Sequence, residues 1–305
     1  MNTFTKVLFF AATVVFFAAC SASKPLTMDM SVEKGANFDY AITTSSDMGM
    51  AIMGQDMSVT GESMQNFNFM VKEVNPTGVS DIDFKISRMT VDFTMPMVGD
   101  MSYDSDKGAE KDSPFNSLGG LIGKTMEANL NRQGKVTSIE GADALLKQVL
   151  GKMKGGDQLA GMLEGYIGES AFKNVFASIT GFSQGKALKV GDTWSKSVET
   201  SSGVNMMSDY TYTIRERDGG KVTIDVTGKA KTDPKAEPIE AQGMKITYSL
   251  EGPITGTIVV DEKTGWATTS DNQQDLSGKM TMGGTPMGDM KIDAKMKIGT
   301  SAVRK

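Results

Sequence analysis

Histidine is absent from the 305 residues, and cysteine occurs once, as Cys20. Without imidazole there is no zinc site built on His, no Ser-His-Asp or Cys-His nucleophile and no His general base. With a single cysteine there is no intrachain disulfide, so stability has to come from a hydrophobic core. Tryptophan is limited to Trp194 and Trp266, too few for an aromatic platform that stacks sugar rings. A long apolar run is missing as well. The stretch from Val7 to Ala19 falls short of the roughly 20 residues that a membrane-crossing helix needs. It follows Lys6 and ends in small residues, which is the build of a signal peptide over residues 1–19.

Phe17-Ala18-Ala19-Cys20 resembles the lipobox of bacterial lipoproteins, with Phe17 where Leu is commonest. It implies that Cys20 is lipidated and becomes the first residue of a mature, membrane-anchored chain. Ser21 at the next position fits sorting to the outer membrane, with either face open. Loss of the leader leaves 31 basic against 37 acidic residues. A mildly acidic chain without a basic face is not expected to bind nucleic acid.

Residues 20–30 read as a polar tether. Beyond them apolar residues recur every second position: Phe38, Tyr40 and Ile42, then Phe67, Phe69 and Val71, then Ile82, Phe84 and Ile86. The apolar parity switches from even to odd numbers between Ile86 and Met89, which calls for a bulge near Ser87-Arg88. Asp100 to Asp112 reads as an acidic loop whose spacing does not meet that of an EF-hand. From Gly141 to Phe182 the period becomes helical. Leu145, Leu146, Val149, Leu150 and Met153 share one face, Leu159, Met162, Leu163, Tyr166 and Ile167 a second, and Phe172, Val175, Phe176 and Ile179 a third. Period two then returns. It ends with Met290, Ile292, Ala294, Met296 and Ile298 against Lys291, Asp293, Lys295 and Lys297, a charged face that discourages edge pairing.

Three landmarks recur in order on both sides of the helical segment. Gly35 precedes Phe38 as Gly191 precedes Trp194. The hairpin around Asn75 to Gly78 matches that at Asp218-Gly219, and the one around Asn131 to Gly134 matches Asp261 to Gly265. The expected fold is α+β, mostly antiparallel β. Two similar lobes from an internal duplication, residues 31–141 and 183–305, flank helices at 142–182.

Lys34 to Tyr40, Gly134-Lys135-Val136 with Glu140-Gly141, Lys189 to Trp194 and Asp261 to Trp266 resemble a family of uncharacterised Gram-negative lipoproteins, a domain of unknown function. The resemblance implies the lipoprotein anchor and the two-lobed layout. It supplies no activity and no binding residues.

Methionine is abundant, at 24 residues, and several occur as Met-x-Met: Met28/Met30, Met48/Met50, Met95/Met97 and Met280/Met282. Residues two apart on a strand face one side, so each pair presents two thioethers, donors suited to Cu(I) or Ag(I). Flexible core filling is the commoner use of methionine, and the lining of an adaptable cavity for an acyl chain is another. Carboxylate chemistry would need two acids facing one cleft. Asp81, Asp83, Glu216, Asp218, Asp261 and Glu262 fit solvated strand faces and turns instead. The sequence therefore points to a non-catalytic envelope lipoprotein with no cofactor, binding a hydrophobic ligand or an envelope protein. Cu(I) binding and a purely structural role are the alternatives.

Overall fold

The computed structural model describes residues 26–305 except 53–54, 97–98, 109–113, 153–166, 203, 242–243 and 285–287. Cys20, the leader, Met97, Met153 and all but Ile167 of the helical face read at 159–167 lie outside the described residues; Ile167 is buried. The first half contains β1 (Leu26–Thr27), β2 (Asn37–Ile52), β3 (Gln55–Val74), β4 (Ser80–Met95), β5 (Gly99–Asp104), a 3-10 helix (Pro114–Leu121), β6 (Thr125–Leu130) and β7 (Val136–Glu140). Helices α1 (Ala142–Leu150) and α2 (Glu169–Ile179) follow. The second half contains β8 (Ala187–Leu188), β9 (Thr193–Ser202), β10 (Val204–Asp218), β11 (Lys221–Thr232), β12 (Ile239–Ala241), β13 (Met244–Asp261), β14 (Ala267–Gly283) and β15 (Met290–Arg304).

The two halves form one antiparallel sheet in the order β7-β6-β4-β3-β2-β15-β14-β13-β11-β10-β9, with β5 on β4 and β12 on β13; β1 and β8 make a separate ribbon. Each half runs through its strands in the same direction, and β15 joins them. Their correspondence extends to single residues. The N–H of Gly35 bonds the Val71 carbonyl, and that of Gly191 bonds the Ile214 carbonyl. Phe38 pairs with Phe69 across β2 and β3, as Trp194 pairs with Tyr212 across β9 and β10. Both second strands bulge just after this point, leaving a basic residue, Lys72 or Arg215, without a register partner. That residue reaches the neighbouring strand's acid in each case: Lys72 to Asp83 at 3.3 Å and Arg215 to Asp225 at 2.7 Å. Equivalent bulges with equivalent ion pairs are hard to reconcile with chance recurrence of hairpins.

The alternations of the sequence become the two faces of the sheet. Phe38, Tyr40, Phe67, Phe69, Ile82 and Phe84 are buried on the inner face. The expected parity change is there: Phe67 pairs with Ile86 and Asn66 with Arg88, so Ser87 is the extra residue. α2 lays Phe172 and Phe176 on this aromatic layer, where Phe172 meets Phe67 and Phe84 edge-on and Phe176 meets Phe69 and Phe84. Such pairs add about 0.5–1.5 kcal/mol each beyond their buried area. The helix also touches both edge strands, β7 and β9, and reaches β14. One helix can meet both edges only if the sheet is bent round it.

Three expectations are corrected. The stretch read as an acidic loop begins as β5, because Met101 and Tyr103 alternate with polar residues and Tyr103 buries against the core. The charged face of β15 is solvated, but β15 is a central strand, paired with β2 on one side and β14 on the other. A charged outer face says nothing about the strand's edges, which are occupied by backbone partners. The stretch read as tether joins the fold at Leu26, with Met28 and Met30 buried, since their thioethers fill the end of the aromatic core.

Candidate functional site

The inner face of the sheet has two storeys. The near one, where the chain enters, is aromatic and covered by α2. There Trp266 stacks on Phe38 with centroids 4.4 Å apart, and the Tyr40 hydroxyl donates to the Ala267 carbonyl. The far storey holds Met206, Ala230, Leu250, Ile254, Leu276, Met280, Ile292 and Ala294 as a separate buried cluster. Half-buried Met50, Ile246, Tyr248, Met282, Met296 and Ile298 border it, and none of the described helices contributes a residue. Ser63, Gln65, Ser208 and Ser270, all buried, lie on the inner face between the storeys.

Glycines explain how strands alone bury the far cluster. A Cβ on Gly252 would run into the Asp275 carbonyl, and on Gly278 into that of Ser249. On Gly228 it would meet the Asp209 carbonyl. These positions let β10 and β11, and β13 and β14, coil tightly across one another, as at the corner of a barrel.

The methionine pairs behave as the strand period requires. Met48 and Met50 share the inner face of β2 and are half-buried, Met282 is half-buried and Met280 is buried. Met95 is half-buried on β4. What the sequence did not disclose is their partners. Met57 of β3 stands opposite Met50, Met296 of β15 opposite Met48, and Met290 of β15 opposite Met282.

The acids do not converge. Asp83 and Glu127 hold Lys72, Glu262 grips Arg217 through two bonds of 2.7 and 2.9 Å, and Asp261 accepts from Arg304 at 2.8 Å. Burial opposes ionisation of Asp261. The bonds from Arg304 and from the Lys263 and Thr264 N–H groups outweigh it and hold its carboxyl below the usual range. No group of three or more His, Cys, Asp or Glu among the described residues could hold a metal ion. A groove of about 480 Å³ is lined by Ser45 and Gly299, with Asp47, Glu62, Asp92 and Lys297 around it. Lys196 donates to the Gly181 carbonyl at 2.6 Å, just past the end of α2. Burial, with Lys135 nearby, pushes its pKa down to about 8.

The model of a family of unknown function, DUF6263, matches residues 77–267. The chain belongs to that family. The match runs from the β3–β4 turn, through both helices, to Ala267 at the start of β14, so it takes in parts of both halves. No curated protein matches. Among solved structures, a lipovitellin chain, studied for its lipid–protein interactions, superposes with a TM-score of 0.51 and 11% identity over 90% of this chain. This chain spans a quarter of the length of that one. At that identity the likeness is one of fold. An outer membrane channel from Pseudomonas putida F1 aligns with 6% identity over 90% of this chain and 97% of its own, at a TM-score of only 0.24. DynF from Micromonospora chersina aligns with 8% identity over 92% of this chain and 85% of its own, at 0.21. No helix among the described residues is long and apolar enough to cross a membrane.

Proposed function

We propose that this protein is a non-catalytic binding protein of the cell envelope, anchored through lipidated Cys20 and holding an elongated apolar ligand against the far storey. One observation carries the reading: the half-buried Met50, Ile246, Tyr248, Met282, Met296 and Ile298 extend an apolar wall beyond the buried cluster, with no described helix on it. Leaving so much apolar surface in contact with water sacrifices about 25 cal/mol per Å². Methionine suits a ligand with a flexible chain, because thioethers repack around variable shapes at little cost. The lipid association of lipovitellin agrees with this ligand class by analogy of fold only.

A fluorescent long-chain fatty acid titrated into the full-length protein in mild detergent tests the ligand. Saturable binding weakened several-fold by Met296→Glu supports the reading; absence of saturation, or binding indifferent to that change, overturns it. The anchor is tested separately. Metabolic labelling with an alkyne fatty acid is expected to mark the wild-type chain and not Cys20→Ser.

A further inference from the structure

The fold gathers on one wall thioethers that are far apart in sequence. β2 pairs with β3 and with β15 without any register shift over this stretch. Met50 therefore lies directly opposite Met57, and Met48 directly opposite Met296. Opposed residues of an antiparallel pair have Cβ atoms about 4.5–5.5 Å apart. Met48 and Met50, two apart on one strand, face the same side. All four side chains are half-buried, neither sealed into the core nor spread over the outer face. The unbranched methionine side chain, with three rotatable bonds, can turn its sulfur toward a shared point. The chain has no imidazole, and its one thiol precedes the described residues, so thioethers are the soft donors at hand. We propose that Met48, Met50, Met57 and Met296 form a binding site for a soft monovalent ion, Cu(I) or its surrogate Ag(I). Thioether sulfur is a neutral, polarizable ligand that favours these ions over Zn(II), Ca(II) or Mg(II). The register argument singles out this quartet. Met280, though on the same sheet face, is buried opposite Ile292, and Met282 with Met290 makes only a pair.

The site goes beyond the apolar-ligand reading and is tested independently of it. The full-length protein in detergent, labelled with ¹³C at the methionine methyl groups, is titrated with Ag(I) and followed by NMR. One equivalent is expected to shift four methyl signals together, those removed by Met48→Leu, Met50→Leu, Met57→Leu and Met296→Leu. Competition for Cu(I) against a chromophoric chelator, under reductant, gives the affinity. Met48→Leu/Met296→Leu is expected to weaken it at least tenfold while circular dichroism and thermal unfolding stay as in the wild type. Shifts confined to other methionines, or an affinity unchanged in the double variant, overturn the proposal. If the double variant loses its fold, Met50→Leu and Met57→Leu are measured singly, each expected to lower the affinity. Fatty-acid binding without ion binding sinks this site and leaves the apolar-ligand reading standing, and the reverse result does the opposite.

Discussion

The two storeys of the inner face use the same backbone to different ends. Near the chain's entry the sheet is lined by rigid rings and covered by a helix, and every large side chain has a fixed neighbour, as Phe69 has in Tyr40, Phe84, Phe176 and Trp266. At the far end the wall is mostly thioether and aliphatic, with Tyr248 at its border, no ring–ring contact among its buried members and no described helix above it. Aromatic stacking specifies one arrangement, whereas methionine tolerates several. The contrast assigns stability to the near storey and adaptability to the far one.

That contrast can be broken by mutation. Trp266→Ala removes the hub of the near storey and is expected to cost about 3–5 kcal/mol in urea unfolding, as large-to-small aromatic changes in cores do. A loss under 1 kcal/mol would mean the near storey is not the stabilising half. Gly252→Val is expected to destabilise by about 2 kcal/mol or more, since the new side chain drives into the Asp275 backbone and must displace β14. Lys196 sharpens the comparison through pH. Its folded pKa lies below that of an unfolded lysine, so the unfolded chain binds more protons between about pH 8 and 10.5, and stability rises with pH there. The gain is complete above the unfolded value and lost as the pH falls through about 8. Wild type minus Lys196→Gln, measured at pH 7.5 and 9.5, should show that rise; a flat difference would contradict it. The smallest effect is expected at the far wall, where Met50→Leu should change stability by less than about 1.5 kcal/mol.

Much of this was legible in the sequence because it depends on neighbours along the chain. The period of two placed Phe38, Tyr40, Phe67 and Phe69 on one face, and the parity switch placed a bulge near Ser87-Arg88, where Ser87 proves to be the extra residue. The glycines at 35 and 191 opened equivalent strands because each adopts positive φ, at 85° and 89°. What escaped was set by distant pairing. β5 is short and acidic, and only its docking on Val91 and Phe93 of β4 makes it a strand. The thioether quartet could not be read, since Met48 and Met296 are brought together by strand order alone.

The central place of β15 has a consequence for how the protein comes to exist. Tyr40 pairs with Arg304, so β15, which follows the other described strands in sequence, closes the gap between the two halves. Until β15 is in place, β2 and β14 each present an unpaired edge. The slow step of folding should therefore be the meeting of segments some 260 residues apart, with high contact order and exposure to aggregation before it. A chain truncated within β15 should be cleared by proteolysis rather than persist as a weakened form.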